Sequence, residues 1–194
     1  MTPHALVLAL ALPLHVPGDV LLPLHVPGDV PPPLDLRLAL AALAGLLAAL
    51  AAAAAMRLQS YGYVPAYVGA AALWGRTPAS VSRSAADAAL LATGMLAGLL
   101  FEALVVGSER LRTAFGLEVE VVVADLTTVA ELIALAAVVG VLYAGFSRAV
   151  FPRHGGSAYE TRPGTVRRQW AVSAVVYGAG LFVALKVVYN VLPV

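Results

Sequence analysis

The sequence has no cysteine and few charged residues. The absence of cysteine excludes disulfides, thiol catalysis, Cys-ligated zinc and thiolate-held iron–sulfur clusters. Charged residues make up 12% of the chain, against about 25% in soluble domains. The formal net charge is +1, so no overall basic field exists to attract nucleic acid. We therefore do not expect nucleic acid among the partners of this protein.

Enzyme signatures are missing as well. The sequence contains no G-x-S-x-G, H-E-x-x-H or G-x-x-x-x-G-K-[ST] pattern. All four histidines lie outside the long apolar stretches described next, which argues against haem ligation inside a helical bundle. They are His4, His15, His25 and His154. The prediction is a protein that is not an enzyme and holds no metal and no cofactor.

What the sequence does have is apolar residues, at 61% of the chain. A water-soluble core of this size could not hide so much apolar surface. Four stretches of about 19–23 residues each are long enough to cross a hydrocarbon core of about 30 Å as helices. They cover residues 38–56, 85–107, 129–147 and 170–192. The sequence therefore predicts an all-α integral membrane protein, a four-transmembrane-helix bundle in the lipid bilayer.

The arginines are divided unevenly between the two sides of these stretches. Eight flank one side, and three, including Arg37, flank the other. The positive-inside rule places the side with eight in the cytoplasm. With four spans, the prediction is a multi-pass protein of the cell membrane with both termini outside.

Residues 1–36 form a Pro-rich tail, and residues 37–194 form the membrane domain. LPLHVPGDV occurs twice in the tail, at residues 12–20 and 22–30. The repeat places His15 and Asp19, then His25 and Asp29, at matching positions. We prefer a recent duplication in a tolerant tail to a metal site, which would need the four side chains to converge. Residues 4–14 fit either a signal-peptide core or a segment at the membrane surface.

Shorter features connect the spans. Residues 64–75 are apolar but too few to span, and Tyr61, Tyr63, Tyr67 and Trp74 suit the headgroup level, so an interfacial or re-entrant helix is predicted. Residues 108–115 are predicted to form a short helix closed by glycine. Residues 117–124 fit either a short extended piece or an early start of span three. Residues 151–168, with their Pro and Gly pairs, are predicted to be irregular.

Two acidic residues have an ordinary explanation as helix caps. Ser84 with Asp87, and Thr128 with Glu131, have the spacing of a capping box. We prefer this interpretation to a catalytic or transport role for either acid. Gly94 and Gly98 form a G-x-x-x-G in span two, along which a neighbouring helix can approach closely.

Glu102 and Lys186 are the charged residues that need a partner. Counted from the predicted outer ends of their spans, Glu102 lies about 8 Å deep and Lys186 about 10 Å deep. A charge buried alone in a bilayer is costly. We therefore predict that the two face each other or share a small wet cavity, with Glu131 near enough to join. The interpretations are a structural pin, a proton- or ion-handling site, and a lysine that snorkels to the interface.

Two functions are consistent with these features. The first is a non-enzymatic structural or accessory subunit or self-associating bundle, whose partners are other membrane proteins or copies of itself. The alternative is a small transporter or ion- or proton-conducting subunit that uses the intramembrane Glu/Lys pair. Clustering of the polar residues at one depth argues against a continuous conducting path.

Overall fold

The computed structural model describes residues 32–116, 121–123 and 127–191. Residues 1–31 of the Pro-rich tail, with the repeat and its His and Asp positions, lie outside the described residues, whereas residues 34–36, which were also assigned to the tail, belong to the first long helix. In the described part, four helices are long and apolar enough to cross a membrane. They run over Leu34–Arg57, Arg83–Ala114, Val129–His154 and Pro163–Tyr189. Each predicted apolar stretch is helical over its described residues, which confirms the all-helical class.

The described residues form seven α-helices, labelled in chain order. They are α1 (Leu34–Arg57), α2 (Val64–Trp74), α3 (Arg83–Ala114), α4 (Val129–Gly145), α5 (Phe151–His154), α6 (Gly156–Thr161) and α7 (Pro163–Val191). A 3₁₀ turn at Pro78–Ser80 precedes α3, and a π-helical segment at Phe146–Val150 joins α4 to α5. Two short strands, β1 (Val122–Val123) and β2 (Thr127–Thr128), pair antiparallel just before α4.

Several connections differ from their predictions. The separate helix predicted at residues 108–115 is instead the last part of α3, because Gly107 does not interrupt the helix. Residues 151–168 are largely helical rather than irregular. Proline is tolerated in the first turn of a helix, where its missing N–H has no partner to lose. Pro152 accordingly lies in the first turn of α5, and Pro163 begins α7.

Of the two predicted helix caps, the one at the start of α4 is confirmed and the one at the start of α3 is wrong. Thr128 and Glu131 form a full capping box at the start of α4, as predicted. The predicted cap of α3 was wrong by two residues. Ser82, not Ser84, is the N-cap, and its side chain accepts a hydrogen bond from the Ala85 backbone N–H. Asp87 therefore lies beyond the first turn of α3 and is not a capping residue. Its carboxylate accepts a hydrogen bond from the Tyr63 hydroxyl instead.

Helix α1 lies between α3 and α7, and both contacts are very close. A Cβ placed on Gly45 would collide with the carbonyl oxygen of Gly94, and one on Gly98 would collide with that of Ala41. On the other side, a Cβ on Gly180 would lie 3.3 Å from the Cα of Ala48. The backbones thus touch, which is how small residues let membrane helices associate. By contrast, the long helical segment Val129–His154 is poorly covered, because only 11% of the residues in its most apolar part are buried.

Candidate functional site

The chemistry-bearing side chains gather at the end of the bundle where α1 and α4 begin. We call this group the charged end. It consists of Arg37, Glu102, Glu109, Glu131 and Lys186, from α1, α3, α4 and α7. Glu102 and Glu109 are seven residues apart and therefore lie on one face of α3. That face meets the first turn of α1, where Arg37 lies.

Arg37 is held by two carboxylates. Its Nε donates to Glu102 Oε1 at 2.5 Å, and its two terminal nitrogens donate to the two oxygens of Glu109 at 2.9 Å each. The contact with Glu109 is the bidentate fork that favours arginine over lysine for carboxylate binding. Arg37 and Glu102 are 8% and 3% exposed, so this is a buried ionic contact between α1 and α3.

A second ionic contact joins α4 to α7. Lys186 Nζ lies 3.9 Å from Glu131 Oε2, and both side chains are largely buried. The same carboxylate oxygen accepts hydrogen bonds from the Thr127 hydroxyl at 2.6 Å and the Thr128 backbone N–H at 2.9 Å. Glu131 therefore takes part in the helix cap and in the ionic contact with Lys186.

The two ionic contacts border one small cavity. It has a volume of about 30 Å³ and is lined by side chains that include Glu102, Glu109, Glu131 and Tyr189. A cavity of this size accommodates an ordered water but is far below the roughly 300 Å³ of a small-molecule site. Deeper in the bundle the core is apolar, formed by residues such as Ala44, Ala97, Val138 and Leu181. The charged end can therefore hold charge and water, but it does not continue into a polar path through these core residues.

The sequence hypothesis named Lys186 as the partner of Glu102. In the structure Arg37 takes that position, and Lys186 approaches Glu131. Arg37 was missed because it was counted as a flanking charge that only marks orientation. Glu109 was missed because span two was ended at Gly107. The spacing of Glu102 and Glu109 was the available signal, since it indicates one acidic face once the helix is extended.

The predicted glycines lie between the charged end and the opposite end of the bundle. Gly94 and Gly98 pack against a strip on α1 formed by Ala41, Gly45 and Ala49. The carbonyl of Gly94 also accepts a hydrogen bond of 2.8 Å from the buried Tyr177 hydroxyl of α7. The G-x-x-x-G segment is thus where α1, α3 and α7 meet.

The opposite end is built from aromatic rings and arginines. We call it the aromatic end. Its rings are Tyr61, Tyr63, Tyr67, Phe146, Phe151, Tyr159 and Trp170. Arginine guanidiniums lie over several of them, the closest being Arg83 at 4.2 Å from the Tyr63 ring centre. Burial raises the pKa of the Tyr63 phenol, and its hydrogen bond to Asp87 raises that pKa further. Tyr63 is therefore a protonated donor at neutral pH.

Among the described residues, no group of three or more His, Asp or Glu side chains is arranged to hold a metal ion. Comparison with protein-family models, with curated proteins and with solved structures finds no match for this chain. The function proposed below therefore rests on the geometry of the molecule itself.

Proposed function

We propose that this protein is a non-enzymatic multi-pass membrane protein that associates with other membrane helices, as a self-associating bundle or as a structural subunit. The observation that carries the proposal is an uncovered strip on α4. Ala136, Gly140 and Ala144 repeat the A-x-x-x-G-x-x-x-A spacing of Ala41, Gly45 and Ala49 on α1. On α1, this spacing already packs against a glycine-containing helix.

The α4 strip is placed for contact with another helix. Ala134 and Val138 are the buried residues of α4, whereas Ala136 and Gly140 are exposed on the other side of the helix. Apart from its chain neighbours and the nearby backbone of α4 itself, no described atom lies within 4 Å of a Cβ placed on Gly140. Strips of this kind drive helix association in membranes because they allow close backbone approach.

The charged end supports a structural rather than a conducting role. Its arginine is fully engaged by Glu102 and Glu109, and the core residues beneath it are apolar. Conduction needs polar groups or water along the whole pathway. The buried pair between α1 and α3 instead fixes how these helices align, as polar contacts do in other bundles.

The arrangement of the helices supports a specific orientation. The eight arginines assigned to the cytoplasm lie in segments at the aromatic end of the bundle. Arg37, Arg110 and Arg112 lie in segments at the opposite end, where the charged end is found. We place the aromatic end in the cytoplasm and both termini outside. Helix α2, with 11 residues, is too short to span and would lie at the cytoplasmic interface.

The test is the mass of the full chain extracted in a mild detergent, measured by native mass spectrometry and by crosslinking in the membrane. We expect dimers or larger complexes. Gly140→Leu should reduce the crosslinked fraction, whereas Gly107→Leu should not, because a Cβ on Gly107 also meets no described atom but lies on α3. A lone monomer in both measurements would refute the proposal.

One observation favours the alternative of a proton-handling subunit. The water-sized cavity places Glu102, Glu109 and Glu131 around one space, and intramembrane carboxylates are a common means of proton transfer. Proteoliposomes with a pH-sensitive dye distinguish the two functions. Proton flux that is lost in Glu131→Gln but kept in Glu160→Gln would favour the alternative, and flux equal to that of empty liposomes would exclude it.

A further inference from the structure

A second cavity lies at the aromatic end. Its volume is about 570 Å³, within the range of small-molecule sites. One wall is the segment at residues 77–81 before α3, and another is residues 155–158 at the start of α6. Val64 and Tyr67 of α2 complete it. Three separate parts of the chain thus line one open cavity, which is much larger than the cavity at the charged end.

The lining of this cavity is apolar with three hydroxyl groups. Val64, Pro78 and Val81 provide apolar surface, and Tyr67, Thr77 and Ser157 provide hydroxyls. Two adjacent glycines, Gly155 and Gly156, contribute no side chain to the wall. The described lining residues carry no charge, so the cavity suits a group with both apolar carbon and ester or hydroxyl oxygens.

Arginines flank both walls. Arg76 immediately precedes the first wall, and Arg83 follows its last residue by two positions. Arg153 precedes the second wall by two positions. Arg83 lies near this cavity, since its guanidinium is 4.2 Å from the centre of the Tyr63 ring, and that ring packs edge-on against the lining residue Tyr67 with the ring centres 6.1 Å apart. The Nε of Arg83 also lies 3.7 Å from the Asp87 carboxylate, which partly balances the charge of the guanidinium.

We propose that this cavity binds the headgroup of an anionic phospholipid, with the phosphate at Arg83 and Arg76 and the glycerol region against the three hydroxyls. Arginine is suited to bind phosphate oxygens through paired N–H donors. The cavity lies at the ends of the apolar helices, where headgroups are found, and the adjoining α2 exposes Leu73 and Trp74. A bilayer lipid rather than a free phosphate is favoured because the lining is largely apolar. The proposal holds whether or not the chain self-associates.

The experiment is native mass spectrometry of the full chain, purified with equal amounts of phosphatidylglycerol and phosphatidylcholine of the same acyl chains. Ala79→Trp and Ser157→Trp fill the cavity from its two walls, at exposed positions where a large side chain does not disturb the core. Arg83→Gln removes the charge. The matched control is Arg168→Gln, an exposed arginine of α7 whose neighbours do not line the cavity.

Wild type should retain phosphatidylglycerol over phosphatidylcholine, and either cavity-filling variant that elutes as folded protein should lose this preference. Arg83→Gln should weaken retention about fivefold, the effect of one arginine near an anionic surface, and Arg168→Gln should keep it. Equal retention of both lipids by wild type, or unchanged retention when the cavity is filled, would overturn the proposal. Displacement of the lipid by millimolar inorganic phosphate would overturn it too, because the site would then recognise free phosphate.

Discussion

The two ends of the bundle handle charge in opposite ways. At the charged end, Arg37 and Glu102 are enclosed between helices and bound to each other. At the aromatic end, the side chains of Arg57 and Arg83 are more than half exposed, and their guanidiniums lie over the Tyr63 ring. A buried ionic group must be paired because an isolated one is very costly, whereas an exposed arginine needs no partner. The first end therefore specifies helix alignment, and the second provides a cationic surface.

The largest expected effect comes from unpairing the charged end. Arg37→Leu leaves the Glu102 carboxylate buried without its cation, which should lower the free energy of unfolding by about 3–5 kcal/mol. The measurement is unfolding of the detergent-solubilised protein with increasing dodecyl sulfate. Arg110→Leu, an exposed arginine on the same helix as Glu102, is the control.

The double variant Arg37→Leu with Glu102→Leu separates pairing from simple burial. If the two groups stabilise each other, the double variant should lose less stability than the sum of the single losses. Strictly additive losses would mean that the pair does not explain the stability of this end.

Next in size is the close contact of α1 and α3 between the two ends. Gly45→Val places a side chain where it would collide with the Gly94 carbonyl oxygen, and overpacking of this kind costs about 1–3 kcal/mol. Gly107→Val is the control, because it makes the same substitution within a helix but its side chain would point into open space. Similar unfolding curves for the two variants would contradict the close packing of α1 against α3.

A smaller effect is expected at the aromatic end. Tyr63→Phe removes the hydrogen bond from the phenol to the Asp87 carboxylate and should cost about 1 kcal/mol in the same unfolding assay. Tyr143→Phe, an exposed tyrosine on α4, should be close to neutral. A loss as large as that of Arg37→Leu would remove the contrast between the two ends.

The smallest effect should follow Arg57→Gln. The side chain is 57% exposed, and its guanidinium lies 4.0 Å from the Asp87 carboxylate, so the pair should contribute less than about 1 kcal/mol, and less again at high salt. Unfolding at low and at high salt measures both values. A large loss that salt does not reduce would show that this arginine is effectively buried.

Periodicity and length were enough to predict the spans, the helix at residues 64–75 and the Thr128–Glu131 box, because each depends on residues close in sequence. The partner of Glu102 could not be obtained in this way. Glu102 and Arg37 are 65 residues apart, and their contact depends on how α1 and α3 align. Depth alone did not distinguish Arg37 from Lys186, since both lie near the same end of the bundle.

The connections show a second limit of local sequence patterns. Pro and Gly pairs between residues 151 and 168 indicated breaks, and breaks do occur there, but short helices form between them. The bond between Tyr63 and Asp87 likewise depends on how the segment before α2 folds back on α3. Spacing within one helix does not contain that information, so Asp87 was assigned to a cap.

The position of α1 between α3 and α7 has a consequence for the order of assembly. Domains and helices emerge from the ribosome in chain order, so α1 and α3 are synthesised well before α7. Their paired arrangement, with Gly45 against Gly94 and Arg37 against Glu102, needs no later segment. The face of α1 that carries Ala48 acquires its contact with Gly180 only when α7 arrives. This alanine face therefore cannot be covered by α7 until the last of the four long helices has been synthesised, and in a chain shortened before α7 it would lack this contact.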